Sequence, residues 1–224
     1  MISNKDKLVI IGNGKIAKTL YHYLEQKFEV VCFAVDDRFC FDEVIEGGVA
    51  DCSIEKALRL FPGSHFLTCV GYGEMNQNRE RLYEKVCKET TFRPVNYICE
   101  RANVLAFTMN GFNNLILDNV TIHPGAILGS NNIIWSQSVI SHGANLGDNN
   151  WITSGSIISG DCKLGNNNFI GAGAVIAHNI TIGNFCYIGA SALIDRNLGD
   201  NEVVIAEKSR LLPYDANRFM SLNG

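Results

Sequence analysis

The stretch Ile140–Gly160, ISHGANLGDNNWITSGSIISG, has an aliphatic residue at every sixth position. The same phase extends in both directions, so that fourteen consecutive sixth positions, from Ile116 to Ile194, hold isoleucine or leucine. Neither the 3.6-residue period of an α-helix nor the two-residue period of a strand accounts for this spacing. A fixed period of six, often with a small residue after each aliphatic one, predicts a parallel β-helix of hexapeptide repeats.

A second period, of eighteen residues, is superimposed on the six-residue period. The segments LGSNNI, LGDNNW and LGNNNF begin at residues 128, 146 and 164. Three hexapeptides make one triangular coil, so residues eighteen apart should stack at a spacing of about 4.8 Å. The predicted columns are a ladder of Asn132, Asn150 and Asn168 and an aromatic column of Trp151, Phe169 and Tyr187. We expect about five coils over residues 113–200, a break of phase at Asp200, and subunit packing for the aromatic column.

The N-terminal segment 7–37, KLVIIGNGKIAKTLYHYLEQKFEVVCFAVDD, predicts a strand, a glycine turn, a helix and a second strand. Its turn matches the G-x-G-x-x-A pattern that places a phosphate at a helix N-terminus, and an acid pair follows the second strand, where a ribose-binding carboxylate lies in dinucleotide-binding folds. The alternative is a glycine turn that only packs helix against strand. The acid pair favours nucleotide binding, and the candidate residues are Gly12, Asn13, Gly14, Asp36 and Asp37. A segment of about a hundred residues provides only half of a dinucleotide fold, which disfavours a complete NAD site.

Composition excludes several classes of protein. The net charge of −4 argues against a broad basic surface for nucleic acid. No apolar run approaches the length of a membrane span, and the N-terminal segment lacks the pattern of a signal peptide. The eight cysteines have no C-x-x-C spacing, which disfavours disulfide or zinc frameworks and fits a cytoplasmic protein.

A small Rossmann-like domain followed by a hexapeptide β-helix resembles the sugar-nucleotide acyltransferases, which include sialic-acid O-acetyltransferase-like and bacillosamine-pathway N-acetyltransferase-like proteins. The resemblance rests on GNGKIA, AVDD, GYGEMNQNRERLYE, SVISH and FIGAGAVI. It implies an α/β Rossmann-like nucleotide-sugar-binding domain at residues 1–102, a left-handed parallel β-helix at residues 103–207 and a C-terminal tail at residues 208–224.

The resemblance also implies a mechanism. Acetyl-CoA would be the co-substrate, with no metal, and backbone near Gly160, Ala172 and Ala190 would line the acyl-CoA path. His142, at the end of SVISH, would be the catalytic general base. An imidazole that titrates near neutrality can take a proton from an amine or hydroxyl as it attacks a thioester.

The sequence departs from the family pattern beside this histidine. The family places an acidic residue or a second histidine directly after the catalytic one, whereas this chain has Gly143. Asp161, one coil further and one residue out of register, is the candidate replacement. We interpret His178, two coils above His142, as an ordinary corner residue. The alternative for His142 itself is a solvated corner side chain.

A homotrimer is predicted from the resemblance and from the outer faces of the β-helix. Ile133, Val139 and Ile157 should point outward, where a monomer would leave them in water. Members of this family have active sites between neighbouring β-helices, so the trimer would complete the site.

Together these features predict an acetyl-CoA-dependent sugar N-acetyltransferase. Its acceptor would be the amino group of a nucleotide-linked sugar in surface glycan biosynthesis, such as that of lipopolysaccharide or O-antigen. The alternatives are an O-acetyltransferase acting on a sugar hydroxyl, a catalytically degenerate trimeric scaffold, and a nucleotide-dependent oxidoreductase led by the Rossmann-like half.

Overall fold

The computed structural model of the chain describes residues 5–213 and 215–223. It contains an α/β domain followed by a triangular parallel β-helix, which confirms the predicted fold class. In the described residues no helix is both long and apolar enough to cross a lipid bilayer.

The α/β domain is built around an apolar central strand whose residues Leu8–Ile11 are fully buried. Its elements are β1 (Lys7–Ile11), α1 (Lys15–Lys27), β2 (Glu29–Val35), β3 (Val44–Glu46), β4 (Val49–Ser53), α2 (Ile54–Leu60), β5 (His65–Thr68), α3 (Gln77–Glu89) and β6 (Arg93–Pro94). The sheet order is β3-β4-β2-β1-β5-β6, and only β3 runs antiparallel to its neighbour. The β3–β4 hairpin turns at Gly47–Gly48 and was not expected from the sequence.

The β-helix has three faces, which we call the covered, aliphatic and polar faces after what lies on the outer side of each. The covered face contains β7 (Tyr97–Ile98), β10 (Leu115–Ile116), β13 (Ile133–Ile134), β16 (Trp151–Ile152), β19 (Phe169–Ile170), β22 (Tyr187–Ile188) and β24 (Val203–Val204). The aliphatic face contains β8 (Asn103–Val104), β11 (Thr121–Ile122), β14 (Val139–Ile140), β17 (Ile157–Ile158), β20 (Val175–Ile176) and β23 (Leu193–Ile194). The polar face contains β9 (Thr108–Met109), β12 (Ile127–Leu128), β15 (Asn145–Leu146), β18 (Lys163–Leu164) and β21 (Thr181–Ile182).

The sixfold aliphatic residues fill the interior of this prism. Each is the second residue of its two-residue strand, and all those from Ile116 to Ile194 are at most 4% exposed. Neighbouring coils pair in parallel with an offset of eighteen residues, as in Trp151 with Phe169. The stack begins earlier than expected, because Tyr97 already pairs with Leu115.

The top of the stack also differs from the expected end at residue 200. Val203 pairs with Tyr187, so the last coil is shortened to sixteen residues, and the phase breaks around Asp200 as predicted. The chain beyond Val204 is mostly exposed and contains α4 (Ala216–Asn223).

The predicted asparagine ladder is confirmed on the edge between the polar and covered faces, which we call the asparagine edge. The backbone N–H of Asn132 donates to Asn114 Oδ1 at 2.9 Å, that of Asn150 to Asn132 Oδ1 at 2.9 Å, and that of Asn168 to Asn150 Oδ1 at 3.0 Å. Buried polar groups are costly without partners, and the ladder gives each of these amides a partner in the adjacent coil.

The α/β domain packs against the covered face, and this corrects two expectations. The ring of Tyr72 lies 5.3 Å from that of Trp151 and 4.6 Å from that of Phe169, so the aromatic column serves packing within the chain. Ile133 is fully buried in the same apolar cluster and is not an exposed outer residue. The sequence pattern identified the outward direction of these side chains but not the domain that folds back over them. Tyr187, at the top of the column, remains 37% exposed.

Arg79 on α3 joins the two parts through polar contacts. Its guanidinium is fully buried and donates to the carbonyl of Asn131, to that of Asn149 at 2.8 Å, and to Asn76 Oδ1 at 2.9 Å. The adjacent Glu80 accepts from Asn149 and Asn167 at 3.0 Å each. Because a buried cation requires several acceptors, these bonds fix α3 on the asparagine edge.

Candidate active site

A cleft of about 670 Å³ lies at the carboxyl ends of β1, β2 and β5. The predicted residues Gly12, Asn13, Gly14 and Asp36 line it, whereas Asp37, which begins a 3₁₀ turn, does not. In open α/β sheets, ligands bind at this end of the strands.

The glycine turn brings the cleft close to the backbone. Gly12 has φ +119°, and a Cβ there would lie 3.0 Å from the carbonyl oxygen of Cys69 at the end of β5. Gly14 is exposed and directly precedes α1, whose first N–H groups have no acidic side chain in the first turn. The open N-terminus of this helix is suited to an anionic group such as a phosphate.

Asn13 connects the glycine turn to the loop that follows β2. Its Nδ2 donates to Asp51 Oδ2 and to the carbonyl of Phe39, both at 2.9 Å. Burial alone would raise the pKa of Asp51, but hydrogen bonds from Asn13 and from the backbone N–H groups of Glu43 and Phe41 lower it below its ordinary value. The Asp51 carboxylate therefore stays charged and ties the glycine turn to the loop after β2.

Cations outnumber carboxylates around the cleft. Lys85 pairs with Asp36 at 2.5 Å, which raises the pKa of Lys85 through that hydrogen bond. Arg81 pairs with Glu74 at 2.5 Å. The remaining cations of the lining, Lys15 and Arg38, have no carboxylate partner among the described residues.

Sequence reasoning missed these basic residues as individual site candidates. Arg81 and Lys85 lie one turn apart on α3, inside the segment GYGEMNQNRERLYE and just after it, so a basic i, i+4 pair was the available signal. Arg38 stacks over the ring of Phe39 at 4.7 Å. A half-exposed aromatic ring in a cleft that also contains Lys15 and Arg38, neither paired with a carboxylate of the described residues, is suited to a nucleotide, which offers both a base and phosphates.

His142 lies on the edge between the aliphatic and polar faces, which we call the histidine edge. It follows β14 and is exposed in the single chain. The next two coils place Asp161 and His178 beside it, and one nitrogen or oxygen of each of the three side chains lies within 4.8 Å of the others. Asp161 Oδ2 is 3.7 Å from His178 Nε2, and the two imidazole rings are 6.3 Å apart.

Two glycines make room for this cluster. The His142 ring lies over Gly160, where a Cβ would be 2.5 Å from its Nε2. A Cβ on Gly143 would overlap Asp161 Oδ1, so the carboxylate of Asp161 occupies the space directly above the residue that follows His142. Position 143 has no acidic side chain, but Asp161 in the adjacent coil places a carboxylate next to it.

The residues predicted for the acyl-CoA path are divided between two edges. Ala172 and Ala190 are exposed on the edge between the covered and aliphatic faces, here called the alanine edge, where the N–H of Ser191 donates to the Ala172 carbonyl at 2.8 Å. Gly160 lies across the aliphatic face, buried beneath His142.

The cleft and His142 lie on opposite sides of one chain. The α/β domain contacts the covered face and its two bordering edges, through Arg79 on the asparagine edge and through Tyr23, which donates to Asp118 at 2.7 Å on the alanine edge. The histidine edge is the remaining edge of the triangle, opposite the covered face.

The sequence and the fold both have known counterparts. The family model for the bacterial transferase hexapeptide (six repeats) matches residues 143–178 and 161–196. The β-helix is a hexapeptide-repeat domain. No curated protein sequence matches this chain.

Solved structures extend the likeness to both domains. A histidine-to-asparagine mutant of perosamine N-acetyltransferase from Caulobacter crescentus, in complex with CoA and GDP-perosamine, is 25% identical, with a TM-score of 0.80 over 89% of this chain and 93% of that one. The acetyltransferase domain of PglB from Neisseria gonorrhoeae FA1090, in complex with acetyl coenzyme A, is 22% identical, with a TM-score of 0.79 over 93% and 100%. WeeI from Acinetobacter baumannii AYE is 17% identical and shares the fold, with a TM-score of 0.79 over 92% and 99%. The predicted resemblance to the sugar-nucleotide acyltransferases is confirmed.

Proposed function

We propose that this protein transfers an acetyl group from acetyl-CoA to the amino group of a nucleotide-linked sugar. The observation that carries the proposal is the pairing of an α/β cleft suited to a nucleotide with an exposed histidine on a hexapeptide β-helix. The same pairing of domains occurs in the perosamine N-acetyltransferase that was solved with CoA and GDP-perosamine.

In this mechanism the cleft holds the nucleotide. The turn Gly12–Gly14 and the N-terminus of α1 bind a phosphate, Lys15 and Arg38 add positive charge, and Asp36 accepts from a ribose hydroxyl or a base N–H. Asp37, outside the lining, supports the 3₁₀ turn that carries Arg38.

His142 is the general base of the reaction. Its imidazole removes a proton from the sugar amine as the nitrogen attacks the thioester carbonyl carbon. The tetrahedral intermediate then expels the CoA sulfur, which takes that proton from the imidazolium and leaves as the thiol. The Asp161 carboxylate lies on this edge, with one oxygen within 4.8 Å of a His142 ring nitrogen, where it can stabilise the positive charge that develops on the attacking nitrogen. Direct transfer needs no covalent acyl-enzyme.

We infer a homotrimer in which the acceptor bound in one chain's cleft reaches His142 on the histidine edge of a neighbouring chain. Within a single chain the cleft and His142 lie on opposite sides of the prism. The aliphatic face between His142 and the alanine edge leaves Ile157 37% and Leu193 64% exposed. Packing of this face between copies would enclose an acyl-CoA path that runs from Ala172 and Ala190 of one chain to Gly160 and His142 of the next.

We assign the product to surface glycan biosynthesis, such as that of lipopolysaccharide or O-antigen, since nucleotide-linked amino sugars are donors for glycan assembly. We place the reaction in the cytoplasm. All eight cysteines, which fall within the described residues, are free thiols, as a reducing compartment favours.

The test is acetyl transfer by His142→Asn. We expect kcat to fall by about 10²–10⁴-fold, the usual contribution of a general base. Release of free CoA thiol is measured with a panel of UDP-, dTDP- and GDP-linked amino sugars. The matched control is His123→Asn, on the same edge in the preceding coil, which should keep wild-type turnover. Near-wild-type turnover by His142→Asn would show that the proton leaves by another route.

A second experiment tests the cleft. Asp36→Ala should raise the KM for the nucleotide sugar and leave the KM for acetyl-CoA unchanged, because the cleft contacts only the acceptor. Asp37→Ala, its sequence neighbour outside the lining, should have the smaller effect. If both variants leave the acceptor KM unchanged, the acceptor binds elsewhere.

A further inference from the structure

The three side chains on the histidine edge have the composition of a metal site. Two imidazoles and one carboxylate, from His142, Asp161 and His178, each bring one ligand atom to within 4.8 Å of the others. Borderline divalent ions such as Zn²⁺, Co²⁺ and Ni²⁺ favour imidazole and accept a carboxylate, whereas Mg²⁺ and Ca²⁺ prefer oxygen ligands alone.

The backbone under these side chains is fixed by the coil ladder. The N–H of Asp161 donates to the His142 carbonyl and that of Asn179 to the Gly160 carbonyl, both at 2.9 Å. The three ligand residues therefore start from set positions on consecutive coils. A binding site built on such a regular scaffold loses little conformational entropy when it closes.

Gly143 and Gly160 leave room for two of the three ligand side chains. A side chain on Gly143 would displace Asp161, and one on Gly160 would displace the His142 ring. One ligand separation, 3.7 Å between Asp161 Oδ2 and His178 Nε2, is close to the roughly 3.3 Å that metal–ligand bonds of about 2.0–2.1 Å give around a tetrahedral ion. All three side chains are exposed, so they can rotate about their side-chain bonds as the set closes on an ion.

We propose that His142, Asp161 and His178 bind one divalent transition-metal ion per chain and that this ion inhibits the enzyme. The inhibitory consequence rests on the proposed function, because the ion occupies the lone pair with which His142 takes the substrate proton. The ion is a regulator or poison of the site rather than a cofactor, and the reaction proceeds when it is removed.

Binding is tested first, without substrates. Co²⁺ is titrated into chelator-treated full-length protein and followed by calorimetry and visible absorption, which separates nitrogen and oxygen ligands from the thiolate charge-transfer bands of a cysteine site. We expect one strong site per chain, no comparable site for Mg²⁺, and a loss of at least tenfold in Co²⁺ affinity in His178→Asn. His123→Asn, a histidine outside the cluster on the same edge, should bind as the wild type does.

Inhibition is tested second. Co²⁺ should reduce acetyl transfer by the wild type, a chelator should restore it, and His178→Asn should keep its basal activity and resist the ion. Absence of a strong Co²⁺ site in the wild type, or equal affinity in His178→Asn, overturns the inference. Strong binding that depends on His178, in a protein that transfers no acetyl group to any acceptor, overturns the proposed function and leaves the metal site intact.

Discussion

Two faces of the same β-helix have apolar outward columns, but only one of them is covered within the chain. On the covered face, Ile133 and Trp151 are at most 2% exposed because the α/β domain packs over them. On the aliphatic face, Ile157 and Leu193 occupy the equivalent outward positions and remain exposed. An outward apolar column therefore marks an interface. Whether another domain or another copy of the chain covers that column depends on residues elsewhere in the chain.

The largest effect is expected from removing the ring at the centre of the covered face. Trp151→Ala should lower the free energy of unfolding by about 3–5 kcal/mol, since it leaves a cavity under Tyr72. Chemical denaturation measures the change. Tyr187→Ala, in the same column but 37% exposed, is the matched control and should cost much less. Equal losses at the two positions would mean that the domain does not cover the face in solution.

A smaller effect per site is expected on the aliphatic face. Ile157→Asp removes apolar burial worth about 1.5–3 kcal/mol at each contact between copies and adds an unpaired charge there. Light scattering should show a shift from three chains to one, with the fold unchanged by circular dichroism. Lys163→Glu, on the exposed polar face, should leave the assembly unchanged. A wild-type protein that is already monomeric at micromolar concentration would contradict the trimer.

The smallest effect is expected at the rim of the covered face. Asp118 accepts from Ser136 at 2.6 Å and from Tyr23 at 2.7 Å, and these hydrogen bonds lower the pKa of its carboxyl group. Tyr23→Phe removes one of them and should cost about 1 kcal/mol.

The effect of Tyr23→Phe should depend on pH. Because the pKa of Asp118 is lower in the folded protein than in the unfolded chain, its contribution is complete above the ordinary carboxyl value of about 4 and is lost as the pH falls through the folded value. The difference between wild type and Tyr23→Phe, measured by urea denaturation from pH 7 to pH 2.5, should therefore shrink at the acid end. A difference that stays constant would show that the hydroxyl contributes by packing alone.

The repeat was predictable because each coil contacts mainly the coils next to it. Spacing alone identified the interior aliphatics and the ladder of Asn132, Asn150 and Asn168, since those contacts recur every eighteen residues. The domain interface was not predictable in this way. Arg79 lies in a polar helical segment typical of a solvated surface, yet its backbone acceptors are carbonyls 52–71 residues away in the chain.

The candidate site was likewise predictable where it depends on local spacing and not where it depends on packing. His142 was identified from a local pattern, and the stacking rule placed Asp161 one coil above it. A separation of two coils did not predict that His178 lies close to His142. The two rings come within 6.3 Å of each other because Gly160, between them, has no side chain. In the cleft, the turn Gly12–Gly14 followed from spacing, whereas the cations of α3 depend on how that helix packs.

The eighteen-residue register also limits how this molecule can change in length. Inserting or deleting one whole coil would keep every column aligned, so the covered face and the histidine edge would both survive with the prism longer or shorter by about 4.8 Å. An edit that is not a whole number of coils would move later residues out of these columns unless a corner of the coil absorbs the difference. The one shortened coil, between Tyr187 and Val203, lies at the top of the stack, where no further coil has to follow its register. Divergence in such a chain should therefore proceed by whole-coil duplication within the prism and by free variation only at its end.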